Sequence, residues 1–339
     1  MVVANSNQGS TLKIWWKALR FHFVAGSVLP ALLGSIIALQ LTSSFNIFYF
    51  LLVIIALACN NAALNMSDDY FDYKHGVDMI KTGEKNEYTG GSGVLTNNEI
   101  STDAMRKGFF VFYGITILIG LYLTFKVGWL VFALGVFGVF SAYYYTAPPI
   151  KFAYYGFGET VMLINYGPII VIGAYYVQTQ SIPTEIVLMS LPSGFLMFCK
   201  ILANELPDYK EDLKANKRTL VVRFGKKNGF KILITFLFVT YLIVIVTALL
   251  GYASKFILIS LLTMPVAYRG VKDLKNTLEQ ENVTGNLDII KTSDYTVILL
   301  VLAYCCQILI YGENIIEVLV LLLTLCAFYM PVFLKFRQS

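Results

Sequence analysis

Asn61-Ala-Ala-Leu-Asn65-Met-Ser-Asp68-Asp69-Tyr-Phe-Asp72 closes one apolar run of this chain, and Asn204-Glu-Leu-Pro-Asp208-Tyr-Lys-Glu-Asp212 closes another. Asn61, Asn65 and Asp69 recur every four residues, as do Asn204, Asp208 and Asp212. A helix continuing out of each apolar run therefore shows its polar residues on one stripe. Asp72 joins the first stripe one turn on, and Asp78 follows in the loop. Asn204 lies 139 residues after Asn65, Asp208 139 after Asp69, and Asp212 140 after Asp72. The regular offset resembles an internal duplication with two half-sites facing one cavity. The apolar sequence around the clusters is too degenerate to show a repeat by itself.

The rest of the chain says what solvent those clusters border. Of 339 residues, 57% are hydrophobic and only 14% charged. One soluble core cannot hide so much apolar surface, and a disordered chain would not carry it. That excludes collagen-like, disulfide-rich and large soluble multi-domain proteins. Cys59, Cys199, Cys305, Cys306 and Cys326 all fall in apolar runs without metal-ligand spacing, and read as small core hydrophobes. The N-terminal stretch lacks a short basic-then-apolar cleavable pattern, so it is expected to belong to the mature protein.

A spanning helix needs about 20 mainly apolar residues. Ten segments qualify: 22–41, 45–64, 108–125, 127–146, 160–178, 184–203, 231–251, 254–268, 294–312 and 315–334, of which 254–268 is the shortest. The longer polar connections are 65–107, 204–230 and 269–293. With both termini on one side, 24 of the 26 Lys and Arg share that side, and only Lys126 and Lys255 fall opposite. Positive charge stays cytoplasmic in short loops, which puts both acidic clusters at the cytoplasmic face. The expected fold is all-α: a polytopic membrane bundle of nine to ten transmembrane helices around a central cavity. One domain is expected over 1–339, with 65–107 and 204–230 as its catalytic cytoplasmic loops.

Clustered carboxylates repel one another and resist a low-dielectric site without cations. Oxygen-only ligands suit Mg2+, which binds carboxylates together with substrate phosphates. Two facing clusters can thus hold metal ions that bridge the phosphates of a diphosphate. The plainer alternative is a set of solvated loop acids. Lys217 and Arg218 follow Asp212 closely, Lys151 follows the fourth span and Arg20 precedes the first. Each can neutralise a departing diphosphate, or simply anchor the chain at the cytoplasmic face. Thr89-Gly-Gly-Ser-Gly93 offers backbone N–H groups to phosphate. Tyr143-Tyr-Tyr-Thr-Ala-Pro-Pro149-Ile-Lys151 sets aromatic rings beside a rigid turn, where they can face a carbocation or form an interfacial belt. Gly156 and Gly158-Glu159 open the fifth span, with Glu159 as an N-terminal charge. His22 and His75 have no metal-ligand companions and are assigned no role.

Taken in order, these motifs resemble the intramembrane aromatic prenyltransferases of the UbiA superfamily. The resemblance covers roughly residues 12–230 and is nearest to the branch that prenylates 1,4-dihydroxy-2-naphthoate in menaquinone synthesis. It rests on Asn65 with Asp69-Tyr-Phe-Asp72-Tyr and Gly76-Val-Asp78, on Gly90-Gly-Ser-Gly93, and on Tyr145-Thr-Ala-Pro-Pro149 with Lys151. Gly156-Phe-Gly-Glu159, Gly167-Pro168, Gly173-Ala-Tyr-Tyr-Val177 and Asn204 through Leu220 complete it. The resemblance implies that Asp69, Asp72, Asp208 and Asp212 bind Mg2+, with Asp68 and Asp78 as additional ligands and Asn65 and Asn204 assisting. It also implies that Lys151, Lys217, Arg218 and Arg20 contact the diphosphate, and that Tyr145 faces the reacting carbon.

Three positions depart from the family pattern: Asp68 where Asn is common, Leu206-Pro207 before Asp208, and Asn216 before Lys217-Arg218. The family usually has nine spans. The expected partners are a prenyl diphosphate, an aromatic acceptor and the lipid bilayer, with no nucleic acid and no obligate protein partner. The expected location is the plasma (inner) membrane with the site toward the cytoplasm. The same chemistry on 4-hydroxybenzoate, homogentisate or a glycerol-phosphate lipid stays open. An ion-coupled transporter is the rival of another class, and it would place such acids near mid-membrane.

Overall fold

The computed structural model describes residues 11–77, 91–280, 286–311 and 314–336, and every regular element among them is helical. In chain order the helices are α1 Thr11–Leu19, α2 Phe21–Thr42, α3 Ile47–Lys74, α4 Thr102–Val127, α5 Trp129–Tyr143 and α6 Gly158–Thr179. They continue as α7 Thr184–Lys214, α8 Leu220–Phe224, α9 Lys226–Leu249, α10 Met264–Gln280, α11 Leu287–Tyr311 and α12 Ile315–Phe336. Eight of them (α2, α3, α4, α6, α7, α9, α11 and α12) are long and apolar enough to cross a bilayer, and α5 is a shorter apolar helix. The short candidate 254–268 takes another form. It is a 3-10 helix, Lys255–Thr263, running straight into α10. At about 2.0 Å per residue, a 3-10 helix reaches further per residue than an α-helix does.

The hydrophobic pattern explains why these helices assemble. α2 is apolar on every face and sits centrally, packed on α3, α6, α7, α11 and α12. Outward-facing positions are equally apolar: Phe125 is 86% exposed, Trp129 74% and Leu323 68%, a surface suited to lipid tails and not to water. Asn46 and Ser101 start α3 and α4 by accepting the N–H groups of Tyr49 and Ala104. Gly128 divides α4 from α5 at φ 147°, in a region open to glycine.

α6 carries a π-helical stretch, Asn165–Ile172, around Pro168, which lacks the N–H an α-helix would use. It crosses α7 at a pair of glycines, where a Cβ on Gly167 would stand 2.9 Å from the Gly194 Cα. Small residues let membrane helices approach this closely. Replacing Gly194 by Val is expected to cost about 1–3 kcal/mol through overpacking, read as a lower thermal midpoint of the detergent-solubilised protein.

α3 has 28 residues and α7 has 31. At 1.5 Å per residue each exceeds the roughly 30 Å hydrocarbon core. Their last turns therefore carry the acidic clusters beyond the apolar stretch while still helical. Residues 65–74 and 204–214, which open the two expected loops, are the ends of these helices.

Candidate active site

The helical phase of α3 turns Asn61, Asn65, Asp69 and Asp72 inward, and all four are buried. Asn61 donates to the Tyr166 hydroxyl at 2.6 Å, and Asn65 donates to Asn61 Oδ1 at 3.2 Å and to the Leu19 carbonyl at 3.0 Å. The Leu19 carbonyl ends α1, and Arg20 follows in the left-handed region, so the α1–α2 corner is tied directly to the stripe. Arg20 Nη1 lies 3.7 Å from Asp69 Oδ1, and its guanidinium covers the Phe23 ring at 4.5 Å. The Ser92 N–H donates to both Asp69 oxygens, at 3.2 and 3.1 Å. The glycine-rich segment thus spends that N–H on a carboxylate, where a phosphate was expected. Thr89 and Gly90, like Asp78, lie outside the described residues.

Asp72 accepts the Tyr154 hydroxyl at 2.7 Å, and its other oxygen lies 3.7 Å from Lys217 Nζ. Tyr154 is a hub that sequence reasoning missed. Lys151 and Lys217 both stand over its ring, at 5.3 and 5.5 Å, and its carbonyl accepts the Arg218 N–H at 3.0 Å. The Arg218 side chain itself is exposed. Burial and the Asp72 charge push the Tyr154 phenol well above its ordinary range, so it remains a donor. His75, edge-on to Tyr154 at 5.5 Å, is lowered by burial and by Lys151, which outweigh Asp72.

Lys217 joins the two clusters. Burial opposes its charge, but the carboxylates of Asp72, Asp212 and Asp68 outweigh burial and hold the ammonium well above the usual lysine range. Asp212 is 4% exposed, and Asp208 sits half-buried one turn before it on α7. Asn204 accepts from Asn286 at 3.0 Å. Tyr145 faces the same region, its phenol pushed up by burial and by the charges of Asp68, Glu205 and Glu159 against the pull of Lys217. Of the expected site residues, Asp68, Asp69, Asp72, Asp212, Lys217, Arg20, Lys151 and Tyr145 form one connected region.

Glu159 does more than mark a helix start. It is 1% exposed and accepts the Leu220 N–H at 2.6 Å, fastening the loop that carries Lys217. Glu159, Glu205, Tyr154 and Asn286 were not singled out as site residues by their spacing. Glu205 carried a signal as an acid inside the second cluster, and Glu159 as the charge closing the Gly156-Phe-Gly-Glu159 motif, whereas Tyr154 and Asn286 carried none.

A chamber of about 460 Å3 lies between α3, α4, α5 and α6. Its walls are mainly apolar (Ala56, Leu57, Val131, Val139), and its polar corner is made by Asn61, Asn165 and Tyr166. Asn61 is the inner end of the stripe that carries Asp69, so the chamber adjoins the acidic site.

Among the described residues no three Asp, Glu, His or Cys side chains converge into a ready metal cage. The acidic donors are all oxygens, and Asp68 Oδ1 is buried without a hydrogen-bond partner. That set fits a hard divalent cation which completes its shell with water and substrate phosphate. It does not fit a nitrogen- or sulfur-ligated metal.

Residues 27–284 match the UbiA prenyltransferase family. The chain is 28% identical over 260 residues to 1,4-dihydroxy-2-naphthoate octaprenyltransferase of Bacillus subtilis (strain 168), covering 77% of this chain and 81% of that one. It is 26% identical over 292 residues to 2-carboxy-1,4-naphthoquinone phytyltransferase of Synechocystis sp., covering 85% and 91%. Its fold matches the structure of a UbiA homologue from Archaeoglobus fulgidus bound to DMAPP and Mg2+, with a TM-score of 0.64 at 17% identity, over 87% of this chain and 99% of that one. With three quarters of its length in the family match and eight apolar helices long enough to span, this chain belongs to the UbiA prenyltransferase family as a multi-pass integral membrane enzyme.

Proposed function

We propose that the chain transfers a polyprenyl group from a prenyl diphosphate to 1,4-dihydroxy-2-naphthoate, releasing the acceptor carboxyl as CO2, as a step of menaquinone biosynthesis. The observation that carries this reading is Lys217, held between carboxylates of both acidic clusters, with a large apolar chamber at the inner end of the first stripe, at Asn61. A diphosphate needs clustered cations, and its prenyl tail needs an apolar wall. The activities named for the Bacillus subtilis and Synechocystis relatives support the acceptor. The whole chain is read as one domain in the plasma (inner) membrane, with the site toward the cytoplasm.

In this reading Asp69, Asp72, Asp208 and Asp212 hold Mg2+, with Asp68 and Asp78 as additional ligands and Asn65 and Asn204 assisting. The metal bound by the Archaeoglobus fulgidus relative supports that choice. When bound, Mg2+ supplies positive charge to the leaving diphosphate. Lys151, Lys217, Arg218 and Arg20 add theirs, so the allylic C–O bond breaks with its electron pair going to the diphosphate. Tyr145 presents a neutral aromatic face to the allylic cation. The carboxyl-bearing ring carbon attacks that cation and forms the new C–C bond. The electrons of the ring–carboxylate bond then return to the ring as CO2 departs. Water is excluded by the apolar walls, which prevents capture of the cation as an alcohol.

Acceptor labelled in its carboxyl carbon tests this: labelled CO2 should appear one for one with prenylated naphthol. A prenylated product that keeps the label would overturn the reading. Tyr154→Phe keeps the ring under both lysines but removes the donor to Asp72. It is expected to lower kcat about tenfold, whereas Tyr154→Leu, which also loses the cation–π contacts, should lose appreciably more.

A further inference from the structure

Lys200 and Asp294 form an ion pair inside the bundle, with Nζ 2.9 Å from Oδ1 and 3.2 Å from Oδ2, and are 5% and 7% exposed. Lys200 precedes Asn204 by one turn of α7, so it continues the stripe of Asp208 and Asp212 toward the membrane interior. Asp294 comes from α11, beyond the segment matched to the family. Exchanging a buried ion pair for apolar residues of similar volume is often neutral or stabilising, so packing does not account for this one. Ionisable groups within spans mark functional positions by default.

A pocket of about 30 Å3 lies beside the pair, walled by Phe23, Gly26, Tyr166 and Met197. It has room for about two water-sized groups, the size of a carboxylate's oxygens and too small for a ring. An ammonium has three N–H donors, and among the described residues they serve the two Asp294 oxygens. Gly26 keeps the flank of the ammonium open, since a Cβ there would stand 3.9 Å from Nζ. The pocket is tied to the first cluster. Phe23 lies under Arg20, which reaches Asp69, and Tyr166 is held by Asn61.

The geometry points to this pocket as the anchor for the oxygen substituents of the aromatic acceptor. A carboxylate accepts from Lys200, and the hydroxyl on the neighbouring ring carbon donates to Asp294. The ring then stays at the mouth of the pocket with its carboxyl-bearing edge fixed. The pocket so selects ortho-hydroxy aromatic acids over aromatic alcohols. This rests on the proposed function for the identity of the acceptor.

The test is equilibrium binding of fluorescent 1-hydroxy-2-naphthoate and of 1-naphthol to the full chain in detergent, without prenyl diphosphate. The wild type should bind the acid at least about tenfold more tightly than the alcohol, and Lys200→Leu/Asp294→Leu should bind both alike. Gly26→Val fills the flank of the ammonium while keeping both charges in place and should weaken acid binding in the same way. In turnover, the double variant should raise KM for the acceptor and leave KM for prenyl diphosphate unchanged. Wild-type protein with no preference for the acid, or a folded double variant that keeps the preference, overturns the inference. If the acid binds as expected but the wild type transfers no prenyl group to 1,4-dihydroxy-2-naphthoate, the proposed function fails and the pocket stands.

Discussion

Asp212→Ala is expected to reduce prenyl transfer at least about a thousandfold, and Asp72→Ala to do the same, because each removes charge aimed at the developing diphosphate anion. Asp212 is buried, and with Asp72 and Asp68 it sets the charge of Lys217. Its loss therefore costs a carboxylate and loosens the lysine expected to meet the same leaving group. The two substitutions should not multiply. Both clusters act on one bound diphosphate, so the double variant should be little worse than either single one. Initial rates on detergent-purified variants of unchanged helicity give the answer. Near-normal turnover in either would remove that cluster from the site.

Chelation of divalent cations is expected to take turnover below detection, with activity returning on addition of Mg2+. Carboxylate and phosphate oxygens suit Mg2+, whereas Zn2+ favours nitrogen and sulfur ligands, and Ca2+ asks for six to eight oxygens at longer distances. Zn2+ and Ca2+ should therefore restore little. Because Arg20, Lys151 and Lys217 are already in place, the chelated protein should keep weak binding of prenyl diphosphate while losing catalysis. Full activity in excess chelator would show that the basic residues suffice and that the acids serve another purpose.

The bundle and the acidic stripes were legible in the sequence because both are periodic. Apolar runs of about 20 residues announce spans, and polar residues four apart at the end of such a run announce a helical face. Asn65, Asp69 and Asp72 lie on that face in the structure. What stayed hidden depends on contacts between distant segments. Tyr154 is one tyrosine among several near the fourth span, and only the fold brings it to Asp72, 82 residues away. Glu159 reads as an N-terminal helix charge until α8 arrives 61 residues later with an N–H to satisfy. Lys200 did leave a trace, as a cation within an apolar run one turn before Asn204, but its partner is 94 residues on. The form of the 254–268 segment was not legible in its composition. Its residues are apolar enough for a span, while hydropathy does not report the tighter winding of Lys255–Thr263.

The most direct test is Mg2+-dependent product formation by the purified chain given geranylgeranyl diphosphate and 1,4-dihydroxy-2-naphthoate, with 4-hydroxybenzoate in parallel. A prenylated, decarboxylated naphthol formed only in the presence of Mg2+ is the predicted result. Product from 4-hydroxybenzoate alone would contradict the acceptor, and no product from either would contradict the reading of the two acidic clusters as one diphosphate site.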